Sequence, residues 1–264
     1  MLTFKDAELM LNSSLLFNGP SLIIIGKNGI GKTALIETME KQFHKTSEFY
    51  GTDVDFGGIR QQVQTMVQLK KKNFVIGDMN SIISRGQGIS LKAFSLISSY
   101  ISEGYNASAG FSREGSPALD SKKGYKINFV MAGTPAHMNY LFRESPRYND
   151  FLNRCLIIEV DRNLDEYKPK GFELFAKPIK KYDHNIYRNF KNYKYLGMAP
   201  RHQSMMNNVV RQLDAMGTSG LTFIQNNDIR CYEPQDLAGS FNINKYLKPF
   251  KPIIDVNYDP TKEV

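Results

Sequence analysis

One glycine-rich segment constrains this chain more than any other part of its 264 residues. Residues 26–33 read Gly-Lys-Asn-Gly-Ile-Gly-Lys-Thr and fit the pattern G-x-x-x-x-G-K-[ST] at each required position. The preceding run, residues 21–25, is apolar and rich in isoleucine, which is typical of a strand buried in a parallel sheet. Residues 34–43 then space their apolar side chains as one stripe of a helix. Strand, loop and helix thus occur in the order that a phosphate-binding loop requires.

The residue types in this segment match the chemistry of phosphate binding. Glycines allow a loop to turn its amides inward as a nest for anions, and the start of the next helix adds partial positive charge. Lys32 is expected to reach the terminal phosphates of a nucleotide, and the Thr33 hydroxyl to bind Mg²⁺. The predicted nucleotide-binding residues are Gly26, Asn28, Gly29, Ile30, Gly31, Lys32, Thr33 and Ala34.

Three later apolar runs predict further strands of the same sheet. They span residues 73–80, 127–135 and 155–160. Asp78 lies near the end of the first and Thr134 near the end of the second. An acidic residue in this position after a phosphate-binding loop is expected to hold Mg²⁺ and polarise the attacking water.

Over about residues 15–165 the chain resembles the AAA+ ATPases. The resemblance implies an α/β fold of the P-loop NTPase type, with a central parallel sheet flanked by helices and a smaller C-terminal region. It implies a nucleotide-binding core over residues 1–165, and a lid or nucleic-acid-binding region over residues 166–264. Thr134 would then contact the γ-phosphate or the lytic water, as the sensor 1 residue does. Adenine is favoured over guanine by the family and by the absence of an Asn-Lys-x-Asp sequence.

The resemblance also implies an arginine finger before the last core strand. Arg154 occupies that position, so it would complete the site of a neighbouring subunit in a ring or other oligomer. Arg143 and Arg147 are nearby alternatives, and a surface arginine at the strand edge is the other interpretation.

The chain departs from the family at the acidic end of the second strand, where Asp-Glu is usual. If Asp78 takes the metal position, Met79 occupies the position of the base and cannot accept a proton. If Asp78 is the base, Gly77 stands where the metal carboxylate belongs. In either register one carboxylate is missing, so hydrolysis is either slow or served by another carboxylate, and nucleotide binding is a firmer expectation than rapid turnover.

Two regions are candidates for contact with nucleic acid. Residues 103–124 form a polar insertion, for which the resemblance to the MCM and superfamily 3 branches of the AAA+ family implies a pore loop touching DNA; a surface loop is the alternative. The stretch 177–201 combines cations with interleaved aromatics. A solvated basic face with inward-packing aromatics is the alternative for the second region. The candidate cations are Arg113, Lys122, Lys123, Lys180, Lys181, Arg188, Lys191 and Lys194.

Two helices are predicted outside the strands. One spans residues 90–102, with Ser90 as its N-cap. The other spans residues 205–216 and ends at Gly217. In an AAA+ lid the second helix would offer Arg211 to the nucleotide as a sensor 2 residue.

Composition limits the setting in which the chain works. A net charge of +8 favours a polyanionic partner without specifying one. Two cysteines form neither a disulfide framework nor a metal-ligand spacing, and no apolar run is long enough to cross a membrane. These features predict a cytoplasmic protein, or one in the host cytoplasm if the gene is viral.

Four functions fit these patterns. The first is an oligomeric, DNA-stimulated ATPase that moves along or remodels DNA in replication or packaging, similar in pattern to viral, plasmid, MCM-like or superfamily 3 motors. The second is a nucleotide-gated DNA loader or switch with weak hydrolysis, which the incomplete acidic motif favours. A protein remodeller is less well supported, because no aromatic-hydrophobic-glycine pore motif follows Asp78. A small-molecule kinase is less well supported, because the C-terminal region is long.

Overall fold

The computed structural model describes residues 1–50, 59–105, 124–143, 145–161, 182–190, 192–195, 198–232, 247–249 and 254–255. These residues form an α/β structure with a mostly parallel central sheet between two layers of helices. The strands are β1 (Ser21–Ile25), β2 (Ser47–Tyr50), β3 (Asn73–Ile76), β4 (Asn128–Gly133), β5 (Cys155–Glu159), β6 (Lys194–Tyr195), β7 (Ile229–Tyr232), β8 (Leu247–Pro249) and β9 (Ile254–Asp255). The helices are α1 (Phe4–Phe17), α2 (Lys32–Phe43), α3 (Ile59–Gln68), α4 (Asn80–Ile83), α5 (Gln87–Ser102), α6 (Pro135–Arg143), α7 (Ser145–Leu152), α8 (His184–Arg188), α9 (Pro200–Ala215) and α10 (Gly220–Asn226).

Strand order places β1 at the centre of the sheet. Among the described residues the order is β2-β3-β4-β1-β5-β7-β8. The first five of these strands are parallel, whereas β7 and β8 are antiparallel additions beside β5. The strand β4 therefore lies between β1 and β3, although it follows both in the chain. The carboxyl ends of all three strands meet at one edge of the sheet.

Both faces of the sheet are buried, as the unbroken apolar character of the strands predicts. Alternate residues of β1 point to opposite faces: Ile23 and Ile25 belong to one core cluster, and Leu22 and Ile24 belong to the other. The first cluster is covered by α3, α5, α6 and α7, and the second by α1, α2, α9 and α10. This arrangement is the three-layer architecture of α/β proteins.

The predicted strands and the helix after the loop are confirmed. The first strand has the predicted bounds, and α2 buries the predicted stripe of Leu35, Ile36, Met39 and Phe43. Helix α9 starts earlier than predicted, at Pro200, and the chain turns at Gly217, where φ is +82°.

The predicted N-cap at Ser90 is wrong. Helix α5 begins at Gln87, with Gly86 as the N-cap, and Ser90 is buried inside its first turns. The Ser90 hydroxyl donates to the carbonyl oxygens of Ile82 and Gly86, which joins α4 to α5. Ser90 therefore links two helices. Because it is buried within α5, its hydroxyl does not cap the start of that helix, which is the role that the sequence predicts.

The C-terminal region shares the core of the sheet. The predicted boundary between residues 165 and 166 lies outside the described residues. Beyond it, β7 pairs with β5, and Val209, Val210 and Leu213 of α9 join the same apolar cluster as Leu22.

Candidate functional site

The glycine-rich loop, residues 26–31, connects the carboxyl end of β1 to the start of α2. Gly29 has a φ of +75° and Gly31 a φ of +102°, which residues with a β-carbon rarely adopt. The loop is also held closely: a Cβ on Gly26 would lie 2.3 Å from Cδ1 of Ile30 and 3.0 Å from Cγ2 of Val160. Backbone conformation and packing therefore both require glycine in this loop.

Lys32 begins α2 and folds back over the loop. Its Nζ donates to the carbonyl oxygens of Gly26, at 2.7 Å, and Lys27, at 2.8 Å. Partial burial lowers the pKa of Lys32, and the negative charge of Asp78 opposes that shift. An ammonium group thus lies directly over the glycine loop, at a helix N-terminus, with a carboxylate nearby.

Asp78 follows β3 at the same edge of the sheet. Its Oδ1 accepts from the amide of Asn80, at 2.9 Å, which fixes the turn into α4. Its side chain is 37% exposed, so ligands can reach the carboxylate. Neither neighbour supplies a second carboxylate: Gly77 lacks a side chain, and Met79 is fully buried, with its sulfur close to Gly133. Both predicted registers for Asp78 stay open.

Thr134 follows β4 and caps α6. Its Oγ1 accepts from the amide of His137 at 3.3 Å, and Nδ1 of His137 accepts from the amide of Thr134 at 3.3 Å. This is a reciprocal capping box with histidine in the usual place of Glu or Gln, and Pro135 occupies the first helical position.

His137 is a site residue that the sequence interpretation missed. Its Nδ1 lies 3.6 Å from Oδ1 of Asp78. Burial lowers the pKa of His137, Asp78 opposes that shift, and Lys32 adds to it. The sequence does place His137 three residues after Thr134, which is the spacing of a capping box. That spacing cannot show that the ring faces Asp78, because the contact depends on the order of the strands.

The structure brings Lys32, Asp78 and Thr134 to one edge of the sheet. They follow the carboxyl ends of β1, β3 and β4, which are parallel, and β4 lies between the other two. The amide of Gly26 donates to the carbonyl oxygen of Gly133 at 3.2 Å, and the amide of Met79 donates to that of Ala132 at 2.7 Å. The end of β4 is thereby tied to both neighbouring strand ends. Thr134 consequently lies between the loop and the carboxylate.

The residues at this edge suit Mg²⁺ held together with phosphates. Mg²⁺ binds proteins through one or two oxygen ligands and keeps substrate phosphates and waters as the others. Thr33, exposed at the start of α2, and Asp78 offer that number. Among the described residues, no group of three or more His, Cys, Asp or Glu side chains forms a metal site of its own.

Two predicted arginines lie at the other edge of the sheet. Arg154 precedes β5, and its Nε donates to Oγ of Ser98 at 2.7 Å. Arg211 lies on α9, next to Gln212, whose amide donates to the carbonyl oxygen of Gly19 just before β1. The four steps between the five residues of β1, at about 3.3 Å each, place at least about 13 Å between this edge and the glycine loop. The structure therefore does not bring Arg211 to the loop of its own chain, as the sensor 2 assignment requires.

The alternatives to Arg154 lie on the helices before β5. Arg143 ends α6, and Arg147 lies on α7. An action of any of these arginines across a subunit interface stays a prediction.

The predicted nucleic-acid residues are only partly described. Arg188 is exposed on α8, and Lys194 is half-buried in β6. The amides and carbonyls of Tyr105 and Tyr125 pair at the base of the 103–124 insertion. The other candidates, Arg113, Lys122, Lys123, Lys180, Lys181 and Lys191, lie outside the described residues.

The aromatics of the basic stretch pack inward where they are described. Tyr195 is fully buried, Phe190 and Tyr193 pack on the core, and Tyr182 and Tyr187 contact Phe17 of α1. The prediction that these rings form a stacking platform for bases does not fit this packing. Of the two interpretations drawn from sequence, the basic face with inward aromatics describes them better.

Comparison with known proteins adds no identification. No protein-family model matches this sequence, and no curated protein is similar to it. In the described part of the chain, no helix combines the length and apolarity needed to cross a bilayer.

Proposed function

We propose that this chain binds ATP and Mg²⁺ at the glycine-rich loop and hydrolyses ATP, as an oligomeric AAA+ type protein that acts on nucleic acid. The observation that carries the proposal is the meeting of Lys32, Asp78 and Thr134 at the carboxyl ends of three adjacent strands. Ligands of open α/β sheets bind at this edge. The loop motif, found from sequence alone, supports the same site.

Each residue has a part that its position supports. The amides of residues 26–31 and the start of α2 would surround the phosphates, and Lys32 would exchange its two carbonyl partners for phosphate oxygens. Thr33 and Asp78 would hold Mg²⁺, which neutralises charge on the phosphates when it is bound. Thr134 lies where its hydroxyl could orient water beside the terminal phosphate.

The reaction is the hydrolysis of the terminal phosphoanhydride. A water oxygen bonds to the γ-phosphorus as the bond to the β,γ-bridging oxygen breaks, giving ADP and inorganic phosphate. In the alternative register, in which Asp78 does not hold Mg²⁺, its carboxylate accepts the proton that water releases. The lowered pKa of His137 keeps that ring neutral near pH 7, so it does not compete as a cation for Asp78.

A second candidate function is a nucleotide-gated switch with weak hydrolysis. Gly77 has no side chain and Met79 is buried, so Asp78 is the only carboxylate among the described residues that directly follow β3. If Asp78 serves either the metal or the base, but not both, tight binding with slow turnover is chemically consistent. The net charge of +8 supports association with nucleic acid in both candidates.

The location proposed for the protein is the cytoplasm. Neither of the buried cysteines, Cys155 and Cys231, is in a disulfide, although they lie on the neighbouring strands β5 and β7. Cysteines kept as thiols suit a reducing compartment.

The deciding experiment measures ATP binding and hydrolysis by the purified protein, with and without single- and double-stranded DNA. Lys32→Ala removes the ammonium over the loop, and Lys41→Ala, at an exposed position in the last turn of α2, is the matched control. Asp78→Asn keeps the side chain's shape and removes its charge. DNA-stimulated turnover lost in Lys32→Ala and Asp78→Asn, and kept in Lys41→Ala, would support the ATPase.

The remaining outcomes separate the candidates. ATP binding lost in Lys32→Ala, with negligible turnover in the unmodified protein, would favour the switch. ATP binding of equal strength in all four proteins would overturn the loop as the nucleotide site. Hydrolysis that is indifferent to DNA would remove the motor from the proposal and leave the ATPase.

A further inference from the structure

A cavity of about 470 Å³ opens at the amino-terminal edge of the sheet, where β1 and β4 begin. Its floor is the segment 18–21, between α1 and β1, together with Asn128 at the start of β4. One wall is α9, and the other is the end of α5 with Arg154. Because β1 lies between this cavity and the glycine loop, the two sites are separated by at least the length of that strand, about 13 Å.

The described lining of this cavity carries positive charge and no carboxylate. It contains four cations, Lys126, Arg154, Arg201 and Arg211, beside neutral polar groups such as Asn128 and Asn208. Within the described ranges, no carboxylate forms an ion pair with any of the four. Clustered like charges repel one another unless an anion offsets them, and a concave surface of one sign concentrates ions of the opposite sign.

Arg211 is held in place with a donor left over. Its Nη2 donates to Oδ1 of Asn208, and its guanidinium lies 4.4 Å from the centre of the Tyr187 ring. Its Nε is buried and has no hydrogen-bond partner among the described residues. Because water does not reach Nε, a ligand in the cavity would meet this guanidinium through its Nη groups.

The packing of Tyr187 narrows the chemistry of the ligand. Phe17 stacks on this ring at 4.8 Å with an interplanar angle of 11°, and Arg211 lies over the ring at a similar distance. These two neighbours leave little room for a base to stack there. The recognition available in the cavity is therefore by guanidinium and ammonium donors, which suit phosphate oxygens.

We propose that this cavity is a second phosphate-binding site, which takes the phosphoryl groups of a free polyphosphate or of a nucleic-acid backbone. Arg154 and Arg211 form its half-buried part, and Lys126 and Arg201 are exposed at its mouth. The proposal is independent of nucleotide binding at the glycine loop. Part of the chain's net positive charge is then explained by the four cations that line this one phosphate site.

The test measures tripolyphosphate binding by calorimetry, and binding of a fluorescent single-stranded oligonucleotide by anisotropy. All proteins carry Lys32→Ala, so that the loop contributes little. The cavity variant adds Lys126→Glu and Arg201→Glu, and a matched control adds Lys41→Glu and Lys92→Glu. All four positions are exposed, and both pairs change the net charge equally. Equal melting temperatures establish that both variants fold.

We expect the cavity variant to bind tripolyphosphate at least about tenfold more weakly than its Lys32→Ala parent, and the control to stay within about twofold. If a nucleic-acid strand is the natural source, the oligonucleotide also binds more weakly. The slope of its log affinity against log salt then falls by about 0.7 for each phosphate that the variant no longer neutralises. If only tripolyphosphate responds, the source is a free phosphorylated molecule. Equal binding by the cavity and control variants, for both anions, overturns the proposal.

The fate of the loop proposal is read separately, in proteins that keep Lys32. The double variant Lys126→Glu/Arg201→Glu, with Lys32 intact, is compared with the unmodified chain for its affinity for ATP. Equal affinities mean that ATP binds at the loop and that the cavity does not contribute. A cavity that fails this test therefore leaves ATP binding at the loop untouched. The loop can likewise fail while tripolyphosphate still binds at the cavity.

Discussion

Nδ1 of His137 lies 3.6 Å from Oδ1 of Asp78, while the same nitrogen accepts from the amide of Thr134 at 3.3 Å. The neutral ring with its proton on Nε2 satisfies the amide. A protonated ring would lose that acceptor and gain the attraction of Asp78. Burial is the largest influence on the pKa of His137 and lowers it, so the neutral ring and the capping box prevail.

This arrangement predicts an acid-sensitive contribution to stability. The folded protein holds the pKa of His137 below 6.5, the value of an unperturbed histidine. Between the two pKa values the unfolded chain binds more protons, so the free energy of unfolding falls as the pH falls through that window. His137→Gln keeps an acceptor for the amide of Thr134 without titrating. Urea unfolding from pH 7.5 to 4.5 should show a shallower decline for this variant.

The exposed His44, at the end of α2, provides the control for that experiment. His44→Gln is the matched histidine substitution away from Asp78 and Thr134, against which the flattening in His137→Gln is compared. An equal flattening in both variants would contradict the role given to His137.

Thr134 is predicted to have two separable roles, as a helix cap and at the nucleotide. Thr134→Ala should lower the free energy of unfolding by about 1 kcal/mol, because the amide of His137 loses its acceptor. It should also slow ATP hydrolysis. Thr134→Asn keeps a capping oxygen, so its stability should stay near that of the unmodified protein while turnover still falls. Denaturant unfolding and steady-state kinetics measure the two effects; a Thr134→Asn variant with full turnover would exclude the second role.

Gly26 is predicted to be essential to the shape of the loop. A methyl group there would meet Cδ1 of Ile30 at 2.3 Å, so Gly26→Ala must displace Ile30 or the loop itself. ATP binding should weaken by at least about tenfold, as a fluorescent ATP analogue would report. Gly88 in α5 has open space around its Cβ position, and Gly88→Ala should stabilise the fold by up to about 1 kcal/mol without affecting ATP. Unchanged ATP binding in Gly26→Ala would show that the loop is not the site.

Arg154 is predicted to act on a neighbouring subunit, since it lies at the sheet edge away from Lys32 of its own chain. Arg154→Ala and Lys32→Ala should each abolish turnover. When the two variants are mixed before assembly, part of the ATP turnover should return. Some subunit interfaces then join the intact loop of one variant to the intact Arg154 of the other. A mixture as inactive as either variant alone, under conditions where light scattering shows oligomers, would contradict action in trans.

The sequence was most informative where chemistry and periodicity coincide. Strand β1, the glycine loop and the buried stripe of α2 were predicted residue by residue, because each is a local pattern. The insertion of β4 between β1 and β3 is a property of long-range pairing, which periodicity does not encode. For that reason Thr134 could be selected from sequence, whereas its capping partner His137 could not be seen to face Asp78.

Arg211 is a second residue whose location depends on long-range packing that local sequence patterns do not encode. An arginine on a helix is a local fact, but the edge of the sheet that it reaches depends on where the helix docks. Gln212 anchors α9 through Oγ of Ser13, at 2.8 Å, and the carbonyl oxygen of Gly19, at 2.7 Å. Those hydrogen bonds join residues 199 and 193 positions apart in the chain, and they place Arg211 beside the start of β1.

The position of β4 also sets the order in which the protein can be completed. Ser21, at the start of β1, meets its hydrogen-bond partner Asn128 only 107 residues later in the chain. Until then the strand that leads into the glycine loop has no neighbour on either side, since β5 comes later still. Pairing over such separations slows folding. A chain emerging from the ribosome would thus contain its glycine loop early, whereas the proposed nucleotide site would form only after β4 and β5 have paired with β1. Nucleotide binding would then report a finished sheet.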